Sequence, residues 1–113
     1  MNSRLTSQLL VTALLRRVQG EGGFGVVLHK GDPLSGTIVV QIVERGETVG
    51  LFERITNLDG AVTLSPCGPA DLTQDTGISQ YIERRCQVDP DIWFVELDTA
   101  MGQRLAAEVL CAG

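Results

Sequence analysis

The densest grouping of residues able to do chemistry is Arg84, Arg85, Asp89 and Asp91, with the two carboxylates on either side of Pro90. Proline fixes its own φ and pushes the preceding residue out of helical space, so these carboxylates flank a rigid bend. Oxygen ligands on such a bend suit magnesium or calcium, or an arginine fork. Trp93, the only tryptophan, follows two residues later. On an exposed face it would anchor a protein partner, because a large amphipathic ring gives much contact area at little entropic cost. Arg17 is a further guanidinium that the same site could recruit. A plainer reading competes with this one. Asp89 closes a helix, Asp91 opens a strand and the arginines pair with them as a solvated network of little energetic weight. Trp93 alternates with Val95 and Leu97, the pattern of a core face.

The remaining candidates are weaker. His29 is the only histidine and could act as a lone base near Asp32 if the KGDPLSG loop folds back. At a strand end, however, it reads more simply as a core-edge residue. The glycines of GEGGFG (Gly20–Gly25) follow a helix and precede a strand, the reverse of the order that presents a helix amino terminus to phosphate. They read as a turn. Cys67, Cys86 and Cys111 form no close pair and lack a second histidine to complete a zinc set. An odd count with no CxxC spacing predicts reduced thiols in a cytosol. No metal and no cofactor is expected.

The net charge is -5, from 14 acidic and 9 basic residues, which repels phosphate backbones and anionic lipid. No stretch approaches the roughly 18 apolar residues of a membrane span. Leu9–Leu15 is apolar enough to imitate a signal peptide, but two arginines follow where small cleavage-site residues belong. It reads as a retained helix. At 113 residues and 43% hydrophobic, the chain predicts one domain, residues 1–113, with apolar mass enough for a single core.

The elements that position these residues centre on Gly36–Ile55. Thr37, Ile38, Val39, Val40, Ile42 and Val43 are β-branched and predict a central strand. Ile38, Val40 and Ile42 share one face, Val39, Gln41 and Val43 the other. A tight turn at Arg45-Gly46 returns the chain through Val49, Leu51 and Ile55. Before this hairpin, Ser3 or Thr6 caps a helix that runs to about Gln19. Its apolar face, from Leu5 to Val18, is wider than one side of a small sheet can cover, which predicts burial between sheet and tail or a partner surface. Phe24–Leu28 predicts a strand, joined to the central one as a hairpin through Lys30–Gly36. A turn at Asn57–Gly60 leads to a short strand near Val62–Leu64, and a proline-broken loop leads to a helix over Ile78–Cys86. Ile92–Leu97 is a final strand. The tail beyond Gly102 fits either a helix or an edge strand.

Three segments, VTALLRRV (Val11–Val18), GGFGVVLHKGDPLSGTIVV (Gly22–Val40) and DPDIWFVELD (Asp89–Asp98), resemble those of an alphaproteobacterial family called domain of unknown function 1491. The resemblance spans most of the chain. DPDIW with the preceding Arg84-Arg85 is its most specific part, although Cys86-Gln87-Val88 occupies the gap here. It implies a bacterial cytosolic source and carries no activity.

The expected fold is therefore α+β: an antiparallel sheet of four to five strands with two helices packed on one face, in the order α-β-β-β-(β)-α-β. The expected function is a small non-enzymatic protein-interaction or regulatory module of the cytoplasm, self-associating through its apolar helix or a sheet edge. A small-ligand-binding protein or enzyme using Arg84, Arg85, Asp89, Asp91 and Arg17 is the alternative. The element order also matches a double-stranded-RNA-binding domain, but such domains grip phosphates with basic clusters that this chain lacks, so no nucleic acid is expected.

Overall fold

In the computed structural model, which describes residues 5–111, the elements run α1 (Ser7–Gly20), β1 (Phe24–His29), β2 (Ile38–Glu44), β3 (Glu47–Thr56), β4 (Val62–Cys67), α2 (Asp75–Val88), β5 (Trp93–Asp98) and α3 (Gly102–Leu110). The fold is α+β, with one five-stranded sheet in the order β1-β5-β2-β3-β4. All neighbours are antiparallel except β2 and β5, which pair in parallel from Ile38↔Trp93 to Val43↔Asp98. β2 and β5 sit inside the sheet because both of their faces are apolar. Ile38 to Val43 are all buried, as are Trp93 to Val95 and Leu97. Strands that are dry on both sides belong between others, covered above and below.

The β2–β3 hairpin turns on Arg45 at φ 54° and Gly46 at φ 81°, the two positive dihedrals that a two-residue hairpin turn requires. Pairing slips between Ile42↔Gly50 and Val43↔Thr48, which leaves Val49 as a bulge. Thr6 caps α1: its hydroxyl oxygen accepts from the Leu9 amide at 3.2 Å. Ser3, the other expected cap, lies outside the described residues.

Three expectations need correction. The first is the face. Helices cover both sides of the sheet: α1 and α3 pack on Ile38, Val40, Ile42, Trp93, Val95 and Leu97, while α2 brings Tyr81, Ile82 and Cys86 onto Val39, Ile92 and Phe94. The second is the count, since the tail forms a third helix rather than an edge strand. Leu105, Ala106 and Leu110 fall on one helical stripe and are fully buried beside α1, where they take up part of the apolar surplus of that helix; Leu5 and Leu9 stay exposed. The third concerns β1 and β2. They are not a hairpin, because β5 lies between them and Lys30–Gly36 crosses its end.

Candidate functional site

The residues expected to converge before β5 are held apart. Arg85 turns toward the sheet, where its guanidinium donates to Glu53 at 3.1 Å and to the Tyr81 hydroxyl at 2.6 Å, and lies 5.7 Å from the Tyr81 ring centre. Arg84 is one residue earlier and exposed, on a different side of the helix from that pair. Asp89 closes α2 through its amide, which donates to Arg85 at 2.9 Å, and its carboxylate accepts from the Asp91 amide at 3.1 Å. Asp91 acts through its backbone: its carbonyl accepts from the Asp32 amide at 2.9 Å, while its side chain is exposed. Trp93 is buried at 3% exposure on the face away from α2. Arg17 is also elsewhere, tying α1 to α3 through Glu108 at 2.6 Å and reaching Glu21 at 3.6 Å.

Two networks replace the expected cluster. The first is built on the loop Lys30–Gly36. The Asp32 carboxylate accepts from the amides of Leu34 and Ser35, which folds the loop into a tight turn. The loop carbonyls of Pro33 and Leu34 then receive the amides of Gln8 and Ser7, satisfying the otherwise orphan donors at the start of α1. Ser7 adds a buried bond from its hydroxyl to the Gly36 carbonyl at 2.7 Å. His29 closes the same corner. Its Nδ1 stands 2.7 Å from the Ile92 carbonyl, an acceptor only, so Nδ1 carries the proton.

The second network lies between α2 and the sheet, and Glu53, Cys67 and Tyr81 enter it unforeseen. Burial works to lower the Arg85 pKa, but the bonds to Tyr81 and Glu53 outweigh it and hold the guanidinium above its ordinary value. Burial pushes the Cys67 thiol up, and the Tyr81 hydroxyl beside it offsets only part of that. Burial likewise raises Tyr81, Cys86 and Cys111. A raised thiol stays protonated at neutral pH, the opposite of what a nucleophilic cysteine needs. This network fastens α2 rather than activating a group. Sequence spacing could have paired Tyr81 with Arg85, four apart on a helix, but not either of them with β3.

Among the described residues, no three His, Cys, Asp or Glu side chains group closely enough to hold a metal ion. An open groove of about 730 Å³ lies between the start of α1, the Lys30–Gly36 loop and the far ends of β3 and β4. Among the described residues its one lining cation, Arg54, already donates from Nε to the Leu110 carbonyl at 2.7 Å.

The outer edge of β1 is different. Phe24, Val26 and Leu28 are exposed by 77%, 50% and 43%. Phe24 and Val26 pair with Asp98 and Glu96 on the sheet face that α2 covers elsewhere, but α2 does not reach them. Leu28 occupies a bulge, where pairing slips between Val27 and His29.

Fold and surfaces together define a small α+β protein with a mixed five-stranded sheet, helices on both faces and one bare apolar edge. The chain belongs to the family described as "Protein of unknown function (DUF1491)", whose model matches residues 5–107. A crystal structure of a DUF1491 family protein from Caulobacter crescentus CB15 is 33% identical, with a TM-score of 0.77 over 90% of this chain and 94% of that one. An NMR structure of a DUF1491 family protein from the same organism is 33% identical, with a TM-score of 0.76 over 92% of this chain and 94% of that one. A protein from A. tumefaciens solved in solution is 28% identical, with a TM-score of 0.67 over 85% and 86% of the two chains. None of the curated proteins compared with the chain matches it.

Proposed function

We propose that this protein is a small non-enzymatic interaction module of the cytoplasm, and that its docking surface is the outer edge of β1. One observation carries the reading. β1 is an edge strand with three large apolar side chains exposed and neither a proline nor a charge within Phe24–His29. Proteins blunt such edges with charge, proline, a bulge or cover, because a bare row of N–H and C=O groups pairs with other strands, and of these β1 has only the bulge at Leu28 near its end. The opposite edge, β4, does carry a proline, Pro66, which has no N–H to offer. An added strand on β1 would gain main-chain bonds from the ladder and contact area from Phe24 and Val26. The cytoplasmic placement rests on the three unpaired cysteines. A ligand site built from Arg84, Arg85, Asp89, Asp91 and Arg17 has less support, since Arg85 and Arg17 are engaged elsewhere.

A photoreactive side chain placed at Phe24 tests this reading, with the same probe at exposed Arg45 as control. The expected result is a crosslink from position 24, its partner identified by mass spectrometry, that is absent from position 45 and lost with Val26→Lys. Equal crosslinking from both positions would overturn it.

A further inference from the structure

We infer that α2 is a latched cover, which opens from the sheet as a unit and so joins the apolar floor beneath it to the bare strip on β1. Such opening is a property of the fold and does not depend on what docks on β1. The three helices are held very differently. α1 buries Leu10, Val11, Leu14 and Val18, and α3 buries Leu105, Ala106 and Leu110, whereas α2 buries Ile78 alone among its 14 residues. The first amides of α1 are bonded to the Lys30–Gly36 loop, and Arg54 holds the end of α3. Among the described residues, no backbone hydrogen bond joins α2 to the sheet. Gln74 precedes α2 without a side-chain cap and Gly77 stands in its first turn, both of which weaken a helix start. Segments with few buried apolar contacts open before the rest of a fold.

α2 is held by a small apolar contact and one polar latch. Tyr81, Ile82 and Cys86 rest half-buried on Val39, Ile92 and Phe94, with the Tyr81 ring edge-on to Phe94 at 6.5 Å. Beside them the Arg85–Glu53 pair is, among the described residues, the one ion pair between α2 and the sheet. The Tyr81 hydroxyl accepts from the same guanidinium and meets Cys67 on β4. Both ends of the helix adjoin turning points: Gly68 takes φ 100° in the loop before it, and Pro90 makes the bend after it. Past that bend the chain is fixed, because the carbonyls of Asp91 and Ile92 are bonded to the Asp32 amide and to His29. Rotation at these two points lifts α2 and leaves the sheet, α1 and α3 in place. Val39, Ile92 and Phe94, each 0% exposed beneath it, are then uncovered. Phe94 lies two residues from Glu96, the cross-strand neighbour of Val26, so the released floor runs into the bare strip.

Native-state hydrogen exchange over a series of low urea concentrations tests this. Amides of residues 79–88 are expected to exchange at least about tenfold faster than those of β2, and with a weaker dependence on urea, since a partial opening exposes less surface. Arg85→Gln removes the latch. It should speed both that exchange and the alkylation of Cys67 by about tenfold, and leave unchanged the alkylation of Cys111, which packs with α1 and α3. Loss of the Arg85 charge by itself slows alkylation, because that charge lowers the Cys67 thiol. Faster alkylation therefore reports exposure. Equal rates and equal urea dependence for α2 and β2 would mean that the fold opens as one, and would overturn the inference. Arg85→Gln that quickens Cys67 and Cys111 alike would do the same. If Arg85→Gln fails to fold, the wild-type exchange and Tyr81→Phe, which keeps the ring and removes the hydroxyl, carry the test.

Discussion

The indole Nε1 of Trp93 donates to the carbonyl of Asp32 at 2.8 Å, while the Asp32 amide donates to the carbonyl of Asp91 at 2.9 Å. The loop after β1 and the bend before β5 are thereby locked together. A buried indole N–H without a partner would be costly, and the loop supplies that partner. The same loop receives the first amides of α1. One turn of chain therefore joins the first helix to the last strand.

Replacing Trp93 by Phe keeps most of the core contact but removes the donor. The expected cost is about 1–2 kcal/mol, the net value of a hydrogen bond together with the carbonyl it leaves short. Urea melts measure it, and amide exchange in residues 31–36 should quicken selectively. Unchanged exchange in that loop would show that the bond does not hold it.

Gly36 is packed against the bend: a Cβ there would run into the Asp91 carbonyl and stand 2.9 Å from Cδ1 of Trp93. Gly36→Ala should cost about 1–3 kcal/mol or more, as overpacking does. Gly20, at the end of α1, has nothing within 4 Å of such an atom, and Gly20→Ala should change stability by less than about 1 kcal/mol. Similar melts for the two variants would contradict the close approach at Gly36.

Stability should fall in alkali. Burial holds Cys67, Cys86 and Cys111 above the ordinary thiol value of 9.0, and Tyr81 above 10.0. Each group is neutral in the fold and loses its proton first in the unfolded chain. Their contribution is thus complete below the unfolded values and disappears as pH rises through the folded ones. Urea midpoints should be level near neutrality and decline above about pH 9. A midpoint that held steady from about pH 7 to about pH 10 would contradict these shifts.

Val40 and Asp91 should behave oppositely. Val40 is 0% exposed in β2, so Val40→Asp buries an unpaired carboxylate and should cost several kcal/mol, about 3–5. Asp91 contributes through its carbonyl, and Asp91→Ala should cost no more than about 1 kcal/mol. Denaturant melts compare them directly. A large loss at Asp91 would mean that its carboxylate has a partner or ligand.

What could be read from the chain was whatever depends on neighbours in sequence. β-branched residues from Thr37 to Val43 and the Arg45-Gly46 turn specify the β2–β3 hairpin because pleat and turn are local preferences. Thr6 and the apolar stripe behind it specify α1 on the same grounds.

Tertiary structure decided what depends on distant partners. Ile92–Leu97 read as a strand, yet its place between β1 and β2 follows from long-range pairing that no local pattern encodes. Leu105–Leu110 has helical composition, but the segment is too short to hold a helix alone and Gly102 also fits a turn, so it was the seat beside α1 over Val40 and Ile42 that made it a helix. Arg84, Arg85, Asp89 and Asp91 are close in sequence, but a helix sends successive side chains in different directions. Arg85 therefore reaches Glu53 on β3 while Asp91 turns its carbonyl to Asp32, and a cluster along the chain becomes two anchors on opposite sides of a bend.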